Sequence, residues 1–407
     1  MKWYEAAESR EEGCGYSGQI VLFLMLFLIA FLFSAPAFSQ NVQFAGLVFV
    51  GSEEDTEKTM PVTKRLLNER GLESVNRELI GLLNSVQRPD IQFVFGGGSV
   101  NSGRAFATAL AINSETFSRD RTSRGGKLSV DLKAQILTFD FSSKRIISAF
   151  PLDVMYYEVF EDGADLDELK RLILAKALFL DAGAPTGASL FELFTKRLET
   201  FEFKEGWNAN LQVKKVVLAE NARKAVAARG YPEDAYENWV ATSFASALSQ
   251  VHGIPVLPFT RGQALNEMRL RFDEGNEIGF TFPPADFGVE LTVTGFGTKV
   301  VKETEARVFK SHGVGLAVKF FDPNFNEVYL DENLLMSRVE QYSKGSKREE
   351  WPIYEDLERV LMNEINEQID KPDKKWIDEH VRGDKKAKVV TKQLIEVQKR
   401  IISEIKG

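Results

Sequence analysis

From Gln40 onward the apolar residues of the chain fall into two rhythms, one of period two and one of period near 3.6, and the two alternate in blocks. Val42–Val50 is a short, nearly unbroken apolar run that predicts a buried strand. Val62, Leu66, Leu67, Leu72, Val75, Leu79, Ile80 and Leu83 recur at helical spacing behind Pro61, with a break at Gly71. Ile91–Phe95 returns as a strand, and Phe106, Thr108, Leu110 and Ile112 alternate with small or polar residues. Leu128–Phe141 and Arg145–Phe160 predict two extended runs joined as a hairpin through Ser142-Ser143-Lys144. Asp165 stands where a helix N-cap is needed, ahead of Leu166, Leu169, Leu172, Ile173 and Ala177, and Leu190–Leu198 predicts a second amphipathic helix.

After Gly206 the order recurs. Leu211–Leu218 predicts a strand and Pro232–Val251 an aromatic-rich helix. Ile254–Phe259, Met268–Phe272, Ile278–Phe282, Val289–Phe296 and Thr298–Phe309 follow as strand-like pieces, then a hairpin around Asp322-Pro323-Asn324 and a helix over Pro352–Ile369. The hairpins Ile136–Phe150 and Gly315–Tyr329 match in pattern, not in residue identity. The expected fold is therefore α+β in two domains, each a mainly antiparallel sheet covered by helices, arranged as a pattern-level duplication. The expected boundaries are 40–205 for the first domain, 206–370 for the second, and 371–407 for a basic amphipathic C-terminal helix. Two unrelated α+β domains are the alternative.

The N-terminal stretch breaks both rhythms. Ile20–Phe33 is apolar without interruption and runs into Ser34-Ala35-Pro36-Ala37-Phe38-Ser39-Gln40. An apolar core followed by alternating small residues is the layout of a cleavable export signal, here over residues 1–39. An uncleaved anchor is the alternative, since Ile20–Phe38 approaches the roughly 20 residues that cross a bilayer. Glu5, Glu8, Glu11 and Glu12 against Lys2 and Arg10 are atypical of a signal. The chain is expected to be exported, periplasmic or extracellular, touching the membrane only through this segment if it stays uncleaved.

Composition narrows the chemistry. The net charge of −8 argues against broad nucleic-acid binding, which needs clustered positive charge. The single cysteine, Cys14, precedes the apolar run, so a processed chain forms no disulfide and offers no lipidation cysteine. His252, His312 and His380 are scattered and there is no His-Glu-x-x-His spacing, so neither a metal site nor a cofactor is expected. A partly charged His252 would suit the helix end before Gly253. No catalytic motif is present. Gly96, Gly97 and Gly98 follow a strand and, with Arg104, form a candidate anion cradle, although the loop departs from both phosphate-loop and dinucleotide spacings; the plainer reading is a connection. In the tail, Val390, Leu394, Val397, Ile401 and Ile405 make one apolar helical stripe, read either as packing on the second domain or as a docking surface for a partner.

Gly253-Ile254-Pro255-Val256-Leu257-Pro258-Phe259 resembles the short strand of envelope proteins related to the curli secretion lipoprotein and the TolB N-terminal domain. That resemblance implies a small α/β domain and a role in envelope assembly or scaffolding. The function expected is that of an exported, non-enzymatic binding or assembly protein acting through protein–protein contacts. The alternative is a two-domain enzyme or small-molecule-binding protein using carboxylate and Arg groups in an interdomain cleft. If the export reading holds, N-terminal sequencing of protein from the cell envelope returns a start between Phe38 and Asn41; an intact Met1 on membrane-embedded protein would refute cleavage.

Overall fold

The computed structural model describes residues 40–51, 56–57, 59–86, 88, 90–95, 106–122, 125–179, 189–201, 206–259, 267–271, 277–345, 349–383 and 387–407. The export segment and the Gly96–Gly98/Arg104 loop lie outside them. Val42–Gln87 with Phe93–Gly407 form one compact unit, and Met1–Asn41 with Arg88–Gln92 a second. Within the second, Arg88 pairs Asp90 at 2.6 Å. The large unit is α+β and holds two mixed, mainly antiparallel sheets.

The first sheet contains β1 (Gln40–Val50), β2 (Ile91–Phe95), β3 (Phe106–Thr122), β4 (Gly125–Asp140) and β5 (Arg145–Glu161). Helices α1 (Pro61–Arg70) and α2 (Leu72–Ser85) follow β1, and α3 (Leu166–Leu178) and α4 (Leu190–Glu199) follow β5. The second sheet contains β6 (Leu211–Leu218), followed by α5 (Glu220–Arg229) and α6 (Glu233–His252). A short hairpin, β7 (Glu267–Arg271) and β8 (Glu277–Thr281), precedes β9 (Phe287–Glu303), β10 (Arg307–Asp322) and β11 (Glu327–Ser343). Then come α7 (Trp351–Asp370), α8 (Lys374–His380), β12 (Val381–Arg382), α9 (Ala387–Val397), a π turn at Gln398–Ile402 and α10 (Ser403–Lys406).

The repeat read from the pattern is present in the pairing. β1 runs parallel to β3, which continues antiparallel into β4 and β5; β6 runs parallel to β9, which continues antiparallel into β10 and β11. Strands β4–β5 and β10–β11 match at a constant offset (322 − 140 and 343 − 161 both give 182). Both ribbons skip one residue at the same places. Asn113 is passed over between Ile112 and Ser114 as Thr294 is between Val293 and Gly295, and a second shift falls at Thr138/Phe139 and at Phe320/Phe321. Both hairpin turns are closed by an aspartate accepting from backbone N–H groups, Asp140 from Ser142 and Asp322 from Asn324, and both end on a left-handed residue, Lys144 and Asn326. Bulges and turns fix register, so their coincidence reports a shared frame that side-chain identity does not.

The sequence reading differs from the structure in three places. β7 and β8 join the first sheet, β7 pairing β1 at Phe49↔Arg271 and β8 pairing β5 at Arg145↔Thr281, so this sheet closes on itself around Val48, Leu137, Phe139, Leu270 and Phe280. Val289–Phe296 and Thr298–Phe309 are not two strands: β9 runs on to Glu303, and the chain turns there into β10. The segment Ile254–Phe259 is not a full strand but makes one bridge, Gln212↔Leu257. Pro255 and Pro258 have no N–H to give. The two residues between the prolines stitch the sheets together, Val256 donating to the Ala149 carbonyl of β5 and Leu257 to the Leu211 carbonyl of β6.

Local chemistry explains the remaining elements. Asp165 caps α3 by accepting from the N–H groups of Asp167 and Glu168, as its position required. Gly46 (φ +96°) makes the bulge in β1, and the bulged strand's Leu47 N–H is taken up by the buried Asn76 side chain at 2.8 Å. α6 is buried on nearly every side because it lies between the first sheet and the second. No helix among the described residues is long and apolar enough to cross a membrane.

The tail stripe is used inside the chain. Val390, Leu394, Val397, Ile401 and Ile405 are all buried in the core of the second sheet, so the docking-surface reading of the stripe is corrected in favour of packing. A stripe spaced by four, three, four and four drifts around an ordinary α-helix, and the wide π turn at Gln398–Ile402 brings Ile401 and Ile405 back onto the core side. Leu394→Asp or Ile401→Asp is therefore expected to destabilise the whole fold. The lost aliphatic packing alone costs about 2–5 kcal/mol at each position. A melting temperature unchanged in both variants would contradict this burial.

Candidate functional site

The chemistry of the molecule concentrates where α6 and α7 meet the outer half of the β3–β4–β5 ribbon. Register fixes the ribbon's contribution. On one face, Thr116, Asp131 and Met155 stand in a row across the three strands, then Ser118, Ser129 and Tyr157, then Asp120, Lys127 and Val159. α7 lies over the first of these rows, leaving a cleft of about 140 Å³ whose far wall includes Ile353, Glu355, Asp356, Arg359, Arg338 and Trp239.

Beneath the cleft is a closed set of charges. The Arg359 guanidinium, from α7, donates to Asp131 Oδ2 at 2.9 Å and to Asp153 Oδ2 at 3.3 Å. Lys133 bonds Asp153 and lies 3.3 Å from Asp131 Oδ1. The indole N–H of Trp239, from α6, donates to Asp131 Oδ2 at 2.8 Å. Burial opposes ionisation of Asp131, but the charges of Lys133 and Arg359 outweigh it and hold the carboxyl below its usual range. Burial, reinforced by the Asp131 charge, pushes the coupled Asp153 up to about 6. Two more carboxyls line the α7 side. Glu355 accepts from Ser118 and from the Trp351 indole, and burial raises it. Glu358 is fully buried against the Tyr236 hydroxyl, and burial pushes it up to about 8.

The second ribbon carries a different cluster. His312 is fully buried, with Tyr342 Oη 2.7 Å from Nε2 and Thr298 Oγ1 3.0 Å from Nδ1. Thr298 donates to Glu350 at 2.9 Å, and Lys310 binds the other oxygen of Glu350 at 2.7 Å. Burial depresses His312 and keeps the imidazole neutral. One proton arrangement, from Tyr342 through His312 and Thr298 to Glu350, satisfies every member, so the set anchors α7 to the ribbon and leaves no spare base. His252 is also neutral, pushed down to about 4 first by burial. The partly charged imidazole expected at that helix end is corrected accordingly, because desolvation there outweighs the helix dipole. Among the described residues no cluster of His, Cys, Asp and Glu could hold a metal.

None of the described residues named as candidate sites from the sequence lines this cleft, and Gly96–Gly98 and Arg104 lie outside the described residues; the cleft residues come from strands and helices far apart in the chain. One signal was available. Asp131 and Lys133 interrupt the apolar run Leu128–Phe141, and charges inside a run that must be buried need partners.

The pH response of the junction follows from Glu358. In the folded chain it keeps its proton up to about pH 8, whereas unfolded it releases it near its ordinary 4.5. Between those values the folded state binds more protons, so this group's contribution to stability falls as pH rises through the window and is level above and below it. Glu358→Gln, neutral throughout, is expected to remove that fall, gaining stability over the parent progressively from about pH 5 to about pH 9 in denaturant titrations. Parallel stability curves for the two proteins would refute it.

No family model matches the chain, and no curated protein matches it. Among solved structures the chain is similar to a minor lipoprotein from Acinetobacter baumannii, at 10% identity over 40% of this chain and 89% of that one, with a TM-score of 0.20. A likeness of that extent leaves the function to be argued from the geometry.

Proposed function

We propose that this is an exported, non-enzymatic binding or assembly protein of the cell envelope, and that it holds an extended segment of a protein partner along the outer edge of β5. The observation that carries the reading is the outer half of that strand. Met155, Tyr157 and Val159 point to one face and are 50%, 56% and 75% exposed. Beyond Arg145, which pairs β8, and Ala149, whose carbonyl accepts from Val256, no strand lies against this edge among the described residues.

The chain supplies its own precedent. β11, the counterpart of β5, receives the short strand β12 on its edge at Asn333 and Leu334. The matching positions on β5 are Pro151 and Leu152. Pro151 has no N–H to give an incoming strand, so the competent edge begins at Asp153. Strand addition draws affinity from main-chain hydrogen bonds and specificity from alternate side chains, which Met155, Tyr157 and Val159 are placed to read. An open edge with exposed apolar residues is a liability unless it is covered in use.

A photo-crosslinking residue at Val159, compared with one at the exposed Val389 of α9, tests the proposal in intact cells. The expected result is a discrete adduct at position 159 alone, lost when Tyr157→Pro removes an edge N–H in a protein that still melts normally. No adduct, an identical adduct from position 389, or an adduct indifferent to Tyr157→Pro would sink the reading.

A further inference from the structure

We infer that the side chains of Lys133 and Asp153 condense to an isopeptide bond, a self-made covalent tie between β4 and β5. The inference stands independently of the peptide reading, because it rests on groups buried beneath the cleft and needs no ligand.

Strand register places the reacting groups. Lys133 and Asp153 are direct partners across the antiparallel β4–β5 pair, and their side chains are in contact. Asp131, two residues before Lys133 on the same face of β4, lies 3.3 Å from the ammonium. Only 2% of the Lys133 side chain is exposed, against 8% for Asp131 and 14% for Asp153. The Trp239 ring centroid lies 6.0 Å from Lys133 Nζ, and the Arg359 guanidinium reaches Asp153 Oδ2 at 3.3 Å. As a plain ion-pair set the arrangement is incomplete, since Asp131 Oδ1 and Asp153 Oδ1 are both buried with no hydrogen bond. The repeat also shows that such a ribbon needs no charges at these positions. The counterparts of Asp131, Lys133 and Asp153 in the second ribbon are Gly313, Gly315 and Leu335.

Each group has a task in the condensation. One proton passes from the Lys133 ammonium by way of Asp131 to the Asp153 carboxylate, so that a free amine faces a carboxylic acid. Burial and the Asp131 charge already favour the protonated form of Asp153. Lys133 Nζ then bonds to Asp153 Cγ, and the Arg359 guanidinium steadies the charge that develops on the Asp153 oxygen. Asp131 takes a second proton from the nitrogen and hands it to the departing hydroxyl. The C–O bond breaks and one water leaves. Asp131 ends ionised, as it began, and keeps Arg359 at 2.9 Å. Two of the four buried charges are gone, and their desolvation cost with them. Lys133 also lines a cavity of about 60 Å³ against α6, more room than the released water needs. The bond ties β5 to β4 where the open edge of β5 begins, in a chain whose single cysteine leaves it no disulfide of its own.

Intact-mass spectrometry of the denatured full chain tests this. The expected mass is that of the sequence from the observed N-terminus less one water. Trypsin is expected to release Leu128–Lys144, uncut after Lys133, joined to Ile146–Lys170. Lys133→Arg, which keeps the charge, should return the full mass and no joined peptides. Asp153→Asn should still condense, losing one ammonia in place of water. Asp131→Asn should leave most of the folded protein unjoined. Full mass in the folded parent chain would overturn the inference, as would a lost water that persists in Lys133→Arg or maps to another segment. None of these readouts depends on an adduct at position 159, so the tie and the peptide edge stand or fall separately.

Discussion

The docking of α6 and α7 on the first ribbon depends on one set of charges: Asp131 and Asp153 from β4 and β5, Lys133 from β4, and Arg359 from α7. Taking four charges out of water costs several kcal/mol per ion before any attraction is counted. Each carboxylate is therefore tolerable only with both cations present, and one of those cations belongs to the other half of the chain. The Trp239 indole adds a further donor to Asp131, again from the far half. An apolar contact would hold the halves together in several orientations. A buried charge set with directional partners accepts one.

That constraint makes sense of the layer between the sheets. α6 has an apolar stripe that fills the second sheet's core, through Tyr236, Phe244 and Leu248, and also carries Trp239 to the first sheet. α7 does the same with Leu357, Leu361 and Ile365 on one side and Glu355 and Arg359 on the other. Both helices are thus shared, and the β7–β8 hairpin and the Val256–Leu257 stitch cross in the same direction. The repeat is clear in the strands, whose bulges coincide, and broken in everything the second half lends to the first.

The sequence made the strands, the two long hairpins, the Asp165 cap and the main helices legible because each is encoded within a few residues, by period, by a turn aspartate or by an N-cap. What lay beyond reach depends on pairing across the chain. Nothing near Leu270 or Thr281 says that these residues pair with strands more than a hundred positions earlier. The tail stripe announced an apolar face that needed cover but not which surface would supply it, and its own second core does. For the cleft, Asp131 and Lys133 signalled an anomaly inside an apolar run, while Arg359 looks from its helix like any exposed arginine. Only the fold makes it the partner of two carboxylates.

The same division places the cleft's two walls in different halves of the molecule. The floor is ribbon, from Thr116 to Met155, and the roof is α7. In the second ribbon the corresponding face, with Phe309, Ser311 and Val339, lies partly or fully open among the described residues. Glu355, hydrogen-bonded both to Ser118 of the floor and to Trp351 of the roof, ties the two walls together beside the Arg359 contacts. A junction whose floor, roof and charge balance come from different halves is stable only as a whole, which is why its polar groups persist in a place where apolar packing would have been the simpler solution.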